Sequence, residues 1–362
     1  MRDTSAAEPR PPGEIPARQD ELRSIQVLRG LAAFGVLVFH AASRAGHPFG
    51  VGAAGVDVFF VISGFIMWVV TCRRPSAPQQ FLIRRAQRIV PLYWLVTLGT
   101  AAAALLAPRA FPAMRPTLDH VVQSLLFIPH RDATGLIAPL IVPGWTLNYE
   151  VFFYLLFAVA LLARAQWRAG IVTAALVALV LIRPLGDLRN TMWSTYTDPI
   201  LLEFAAGLWL GWAWSRDRLP GRRVAGWLLA SGAASLVATA ISGIDVSAAR
   251  VLLWGLPAAA LVTGAVSFES HGAIPRWRAL ALLGDASYSL YLVHGLAISA
   301  ALRLTRHMVA PPALVFAVSI FAGLAGGLVC YLLIERPLIG LFKRLQPRLS
   351  PLAMPAPSLT ER

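Results

Sequence analysis

Residues 24–44 read SIQVLRGLAAFGVLVFHAASR, an apolar run that is long enough to cross a bilayer and yet contains Arg29 and His40. A charged side chain at the centre of a membrane helix costs at least about 2.5 kcal/mol, so such residues usually serve a function. At 100° per residue, His40 follows Arg29 by about 20° past three full turns and by about 16 Å along the axis. One face of this predicted membrane helix therefore carries a cation near its start and an imidazole near its far end.

The composition of the chain also predicts a membrane location. Its 362 residues are 57% hydrophobic and only 14% charged, whereas soluble domains carry roughly 25% charged residues. The mean hydropathy is +0.64, and too few polar residues remain to cover a water-exposed surface. The net charge of +14 comes from arginines in short clusters between apolar runs, which is typical of cytoplasmic loops and not of a nucleic-acid-binding stripe. We predict an integral membrane protein that binds no nucleic acid.

The apolar runs predict an all-α protein with about ten transmembrane helices and both termini in the cytoplasm. This topology places 22 Lys and Arg residues in cytoplasmic segments and 9 in outer segments, as the positive-inside bias requires. The run at 168–183 is marginal, so nine or eleven spans are alternatives. The predicted spans are 25–43, 51–72, 89–107, 145–163, 168–183, 199–215, 224–243, 249–268, 284–305 and 312–334.

Polar segments at both ends of the chain predict tails that flank one membrane domain. Residues 1–24 are rich in Pro and Arg and predict a flexible cytoplasmic tail. Residues 25–335 form the predicted ten-helix domain, and 336–362 form a basic cytoplasmic tail. The apolar segment 118–129 is too short to span a bilayer, which predicts a re-entrant or interfacial segment.

Several predicted membrane helices carry further ionisable residues. Asp57 lies near the outer end of the second span, at the depth of His40, so it either pairs with His40 or caps its helix. A carboxylate that pairs with an imidazole fixes its tautomer and raises its basicity. Glu150 lies about one turn inside the fourth span, and further buried groups are Glu203, Asp285 and His294. Buried ionisable groups usually face a shared cavity, which predicts an enzyme or a transporter.

A cluster of arginines precedes the third span, in QQFLIRRAQRIVPLYW at 79–94. Arg85 and Arg88 are three positions apart, so they share one face of a helix. Guanidinium groups suit phosphate recognition. The cluster therefore predicts either a cytoplasmic phosphate-binding site or ordinary positive-inside anchoring.

Six motifs together give the chain a resemblance to a known family. They occur in family order from about residue 24 to 340, and they resemble the membrane-bound acyltransferase-3 family, closest to its exopolysaccharide O-acetyltransferase branch. That resemblance implies a ten-helix enzyme in a bacterial inner membrane. The motifs are LRGLAAFGVLVFH, GVDVFFVISGFIM, FLIRRAQRIVPLYW, GWTLNYEVFFY, LGDASYSLYLVH and IERP.

The resemblance implies transfer of an acyl group, usually acetyl from acetyl-CoA, to a hydroxyl of a carbohydrate. The family's Arg-x-x-Arg motif falls on Arg85 and Arg88, which would bind the CoA phosphates. Its Arg and His, with ten residues between them, fall on Arg29 and His40. Arg29 would hold the pantetheine arm or the thioester carbonyl. The implied partners are an acyl-CoA, a carbohydrate acceptor that is either free or lipid-linked, and membrane lipid.

The catalytic residues implied are His40 together with Asp57 or Glu150. His40 would act as general base for the acceptor hydroxyl or as a transient acyl carrier, and a carboxylate would orient it. The family's Trp-Thr-Leu motif places its acid at Glu150. No metal is implied, and Cys72 and Cys330 show no spacing with histidines that indicates a metal site. The fused extracytoplasmic SGNH-type domain of some members is not expected in this sequence.

A transporter of a glycan or lipid is the main alternative. It would share a polar cavity within about ten helices. Transporters commonly show inverted repeats with paired broken helices. No clear repeat relates 24–160 to 200–340, so the sequence favours an enzyme.

Overall fold

The structure is a computed structural model that describes residues 22–47, 49–73, 75–111, 114–247, 249–272, 274, 277–304 and 310–345. Within these ranges the chain forms helices and loops without a strand, apart from an isolated bridge between Arg131 and Ile137. The all-α fold class is confirmed. Most of the two predicted tails, 1–21 and 346–362, lies outside the described residues.

Fourteen α-helices follow one another along the described residues. Their bounds are α1 Arg23–Arg44, α2 Gly55–Arg73, α3 Pro78–Leu106, α4 Leu118–Leu125, α5 Trp145–Ala160, α6 Ala165–Ile182, α7 Thr191–Tyr196, α8 Leu202–Trp214, α9 Arg222–Ser242, α10 Leu256–Ser270, α11 Arg278–Asp285, α12 Ser287–Leu304, α13 Pro312–Cys330 and α14 Arg336–Leu345. A π-helical turn, Val251–Gly255, leads into α10, and another, Tyr331–Glu335, joins α13 to α14. The predicted C-terminal tail therefore begins inside a helix.

Seven helical segments of the described chain are long and apolar enough to cross a membrane. The chain is thus a multi-pass membrane protein, and the full count of ten spans stays a prediction. The other three predicted spans coincide with α5, α8 and α12, which do not reach the same length and hydropathy. The seven segments are Arg23–Arg44, Gly50–Arg73, Pro78–Leu106, Ala165–Leu185, Arg222–Ser242, Val251–Ser270 and Pro312–Arg344.

Helix α2 lies at the centre of the bundle. It is hydrophobic on all sides. Of the 18-residue apolar stretch of this segment, 78% is buried inside the protein, compared with 11% for the corresponding stretch of α9. A helix that is apolar all round belongs in a core or a membrane. Its side chains pack against α8 on one side and against α1, α5 and α10 elsewhere. The polar residues of α2 are therefore enclosed by protein, while α6, α9 and α13 leave apolar surface for lipid.

Glycines allow α2 and α8 to approach closely. A Cβ on Gly64 of α2 would lie 2.1 Å from the carbonyl oxygen of Phe204, and one on Gly207 of α8 would lie 2.0 Å from that of Val61. Small residues let the backbones of membrane helices meet in this way. Gly207 and Gly211, in GLWLG at 207–211, both lie at this contact.

We expect Gly207→Ala to lower the free energy of unfolding by about 1–3 kcal/mol, because the methyl group would overpack the interface between α2 and α8. The thermal unfolding midpoint of the purified protein in detergent measures the effect. Gly170→Ala in α6 is the matched control, because a Cβ there meets no atom within 4 Å. Equal midpoints for the two variants would contradict the close approach.

Candidate active site

A polar cavity opens between helices α1, α2, α3, α5 and α12. It contains about 810 Å³ of space free of atoms, counted to its open mouth. We call it the arginine cavity. Its polar lining residues are Arg29, Ser63, Arg85, Arg88, Thr146, Glu150, Tyr154, Ser287, Tyr288 and Tyr291. The structure thus brings together four of the six site residues that the sequence predicts: the three arginines and Glu150.

The arginine cavity is elongated along the helix axes. Its lining residues on α2 run from Val56 to Met67, which corresponds to about 16 Å at 1.5 Å per residue. Those on α5 run from Thr146 to Tyr154, or about 12 Å. Such a slot reaches from the start of α3, where the arginines lie, toward the start of α5. It suits a long, narrow ligand with an anionic end.

Arg88 is held in place by the carboxylate of Glu335, which lies between α13 and α14. Its Nη1 donates to Oε1 of Glu335 at 2.6 Å, and its guanidinium carbon lies 5.7 Å from the ring centroid of Tyr288. Oε2 of Glu335 accepts hydrogen bonds from the backbone N–H and the hydroxyl of Ser289, at 3.2 and 2.6 Å. Glu335 is 2% exposed and Arg88 31% exposed. The ion pair therefore orients a guanidinium that still reaches the cavity.

Glu335 is a residue of the site that the sequence reasoning missed. It closes the π-helical turn Tyr331–Glu335 between α13 and α14. Turns of this kind often occur at functional sites, because the extra residue changes the direction of the side chains. The signal in the sequence was the motif IERP, which begins one residue earlier at Ile334.

Arg29 and Arg85 face the cavity without an anionic partner. Among the described residues, neither forms a hydrogen bond or a salt bridge. The guanidinium of Arg85 lies 6.0 Å from the ring centroid of Phe81, and its Nε is buried without an acceptor. Arg29 is attracted at longer range by the carboxylates of Glu335, Glu150 and Asp285. Two guanidinium groups are thus available to bind an anionic ligand.

Glu150 lies in the same cavity, in the second turn of α5. Its Oε1 accepts hydrogen bonds from the hydroxyl of Ser63, at 3.2 Å, and from that of Tyr154. These contacts hold the carboxylate inside the slot. It lies opposite the arginines and balances part of their charge. Ser63 and Tyr154 occupy Oε1, so Oε2 remains available to a ligand.

His40 is not among the residues that line the arginine cavity. Its ring centroid is 4.9 Å from that of His294 in α12. His294 is buried, its Nδ1 donates to the carbonyl oxygen of Leu290 at 3.0 Å, and its Nε2 has no hydrogen-bond partner among the described residues. Tyr291, one turn earlier, lines the cavity and hydrogen-bonds Thr146 at 3.1 Å. An imidazole, not a carboxylate, is therefore the neighbour of His40.

The structure places Asp57 away from His40, so the predicted pairing of these two residues is wrong. Both carboxylate oxygens of Asp57 accept from Arg250, at 3.0 Å from Nε and 2.9 Å from Nη2. Asp57 is completely buried, and Arg250 is 26% exposed. The Arg250 guanidinium also lies 5.1 Å from the ring centroid of Trp254. A carboxylate near a bidentate guanidinium prefers that partner to a neutral imidazole.

The fold and the cavity define a class of protein. The chain is a multi-pass membrane protein whose helices enclose an arginine-lined slot with a partly buried carboxylate. Among the described residues, no three His, Cys, Asp or Glu side chains cluster as a metal site requires.

The chain belongs to the acyltransferase-3 family, whose acyltransferase domain matches residues 22–332. The protein is therefore an acyltransferase, and the transporter alternative is not supported.

Relatives with assigned names agree with this membership. The chain is 41% identical to the exopolysaccharide production protein ExoZ of Rhizobium meliloti, across 84% of this chain and 94% of that protein. It is 27% identical to the acyltransferase MdmB of Streptomyces mycarofaciens, across 92% and 95%. It is 26% identical to the peptidoglycan O-acetyltransferase OatA of Listeria monocytogenes, across 75% of this chain and 48% of that protein. No solved structure matches the chain significantly.

Proposed function

We propose that the protein transfers an acetyl group from acetyl-CoA to a hydroxyl of an exported carbohydrate, in a bacterial inner membrane. The observation that carries the proposal is the convergence of Arg29, Arg85 and Arg88 on one elongated cavity in an acyltransferase fold. CoA has an anionic nucleotide end and a long neutral arm that ends in the thioester. The cavity offers cations at one end and a narrow slot beyond them.

Arg85 and Arg88 would bind the phosphates of the donor at the cytoplasmic mouth of the slot. Arginine forks recognise phosphate oxygens through charge-assisted hydrogen bonds. Glu335 holds Arg88 in place before the ligand arrives, so less side-chain freedom is lost on binding. The pantetheine arm would extend along α2, past Arg29, toward the start of α5. Arg29 would stabilise the negative charge that develops on the thioester oxygen.

The reaction exchanges a thioester for an oxygen ester. The acceptor hydroxyl attacks the carbonyl carbon, the new C–O bond forms, the C–S bond breaks and CoA departs as a thiolate. His40 would accept the proton of the hydroxyl and return it to the thiolate, as a general base and then a general acid. His294, anchored to Leu290, is the residue placed to position His40. We place Glu150 in the slot that binds the donor. Asp57 holds Arg250 and does not orient His40.

The names of the relatives support a carbohydrate acceptor. ExoZ is named for exopolysaccharide production, and OatA for O-acetylation of peptidoglycan. We propose repeat units of an exopolysaccharide, carried on a membrane lipid, as the acceptor. Helices α6, α9 and α13 leave apolar surface in contact with the bilayer. A lipid-linked sugar would reach the helix bundle from that bilayer.

Arg85→Ala is expected to weaken acetyl-CoA binding about 10- to 150-fold, because a hydrogen bond to a charged group contributes about 1.5–3 kcal/mol. Equilibrium dialysis of labelled acetyl-CoA against the purified protein measures the dissociation constant. Saturating donor should restore most of the transfer rate. Arg223→Ala, which removes an exposed arginine at the start of α9, is the control. If both variants bind acetyl-CoA like the wild type, Arg85 does not contact the donor.

A further inference from the structure

A second cavity lies on the other side of helix α5, and we call it the Asn148 pocket. It contains about 510 Å³ of space free of atoms, counted to its open mouth. The sequence reasoning named none of its residues as site residues. The residues that matter here are Trp145, Asn148, Tyr149, Arg183, Thr195 and Asp198.

Asn148 is the polar group that most clearly points to a ligand. It is 3% exposed and lines the pocket, and its side-chain amide forms no hydrogen bond to a described residue. The amide faces the open space of the pocket, where a ligand can reach it. A carboxamide has two donors and an acceptor that neighbouring hydroxyl groups of a sugar satisfy well. The amide is therefore positioned for a hydroxylated ligand.

Two aromatic side chains flank this amide on the same face of the helix. The ring centroids of Trp145 and Tyr149 lie 5.8 Å apart at 86°, which is an edge-to-face arrangement. Ligand sites usually combine aromatic surface of this kind with a few fixed polar groups. An aromatic face beside hydrogen-bonding groups fits a sugar ring, which has an apolar face and a polar edge.

The charges of the Asn148 pocket cancel, unlike those of the arginine cavity. Nη2 of Arg183 lies 3.7 Å from Oδ2 of Asp198, and Nη1 donates to the carbonyl oxygen of Ser194 at 2.7 Å. Oδ1 of Asp198 accepts from the backbone N–H of Ile200 at 3.0 Å. A paired cation and anion offer hydrogen bonds in both directions without attracting a phosphate. The pocket thus suits a neutral polyhydroxylated ligand and not the nucleotide end of CoA.

The two cavities lie on opposite faces of the first turns of α5. Trp145, Asn148 and Tyr149 line the Asn148 pocket, whereas Thr146 and Glu150 line the arginine cavity. The spacing i, i+3 and i+4 places the first three on one face of the helix. We propose that the Asn148 pocket binds a sugar unit of the carbohydrate acceptor, next to the unit that is acylated. This inference rests on the proposed function, because the acceptor there is a carbohydrate.

The test uses the full chain in detergent with named probes: tetrasaccharides of β-linked glucose, galactose and N-acetylglucosamine. Saturation-transfer NMR measures sugar binding directly, and labelled acetyl-CoA measures donor binding and transfer. We expect the wild type to bind at least one tetrasaccharide. Asn148→Ala should raise the KM for that sugar about tenfold and leave the dissociation constant of acetyl-CoA unchanged. Asn148→Leu, which replaces the amide with an apolar side chain of similar length, should abolish sugar binding.

The control is Gln123→Ala, which removes an amide from the surface of α4 and should behave like the wild type. The proposal is overturned if the wild type binds none of the three sugars, or if both Asn148 variants keep its sugar affinity. Equal loss of sugar and acetyl-CoA binding would also contradict it. Sugar binding that depends on Asn148 in a protein that does not consume acetyl-CoA would refute only the proposed donor.

Discussion

His40→Ala is expected to lower the rate of acyl transfer by about 10²–10⁴-fold, which is the range that a general acid–base residue contributes. The affinity for acetyl-CoA should stay at the wild-type value, because His40 does not line the arginine cavity. The transfer rate falls because the carbohydrate hydroxyl is a weak nucleophile when no group accepts its proton. Single-turnover measurements with saturating acetyl-CoA and acceptor give the rate directly.

The matched control for this prediction is His47→Ala, which removes an exposed histidine just beyond the end of α1. It should transfer acetyl groups at the wild-type rate. Rapid acid quenching in the absence of acceptor distinguishes two roles for His40. A label that stays on the wild-type protein and is absent from His40→Ala indicates an acyl carrier, and an unlabelled protein indicates a general base. Wild-type transfer by His40→Ala would remove His40 from the mechanism.

Asp57→Ala is expected to destabilise the protein by about 3–5 kcal/mol, because it leaves Arg250 without its partner inside the bundle. Arg250 is 26% exposed, so the lower end of this range applies. The buried carboxyl group of Glu203 interacts electrostatically with both residues, and it would offset part of the loss. Unfolding in detergent, followed by tryptophan fluorescence, measures the change.

A double variant separates the ion pair from catalysis. Asp57→Ala with Arg250→Met should recover much of the lost stability, because apolar replacement of a whole buried pair is often neutral. Asp245→Ala is the control, since it removes a solvent-exposed carboxylate from the loop that precedes Arg250. If Asp57→Ala keeps the stability of the wild type but loses acyl transfer, Asp57 acts in catalysis, although not by pairing with His40.

The sequence predicted much of the arginine cavity because its signals are local. Arg85 and Arg88 share a helix face by their spacing alone, and the helix α1 that carries Arg29 and His40 is visible in its apolar run. Glu150 belongs to a motif that begins at Gly144. Arg29, Arg85, Arg88 and Glu150 line this cavity, whereas His40 does not.

Long-range partners could not be predicted in the same way. Arg250 counted as one of the arginines of the outer loops, and it lies 193 residues from Asp57. Glu335 lies 247 residues from Arg88. The π-helical turn that orients Glu335 leaves no periodic pattern in the sequence from which it could be predicted. The choice between His40 and Arg250 as the partner of Asp57 depends on how the helices pack around α2. One sequence without its packing does not contain that information.

Helix length shows a similar limit. The predicted spans at 145–163, 199–215 and 284–305 coincide with α5, α8 and α12, which are shorter or less apolar than the lipid-facing helices. These three helices carry Glu150, Glu203 and His294, of which Glu150 lines the arginine cavity. A helix enclosed by protein needs less hydrophobic length than one that lipid surrounds.

The most direct test of the account follows CoA release and ester formation together in the purified wild-type protein. We would supply acetyl-CoA labelled in the acetyl group with the tetrasaccharides named above, and quantify free CoA thiol and labelled carbohydrate. The account predicts one thiol released for each acetyl ester formed, with saturable dependence on acetyl-CoA. If the protein neither binds nor consumes acetyl-CoA, the donor assignment of the arginine cavity is wrong.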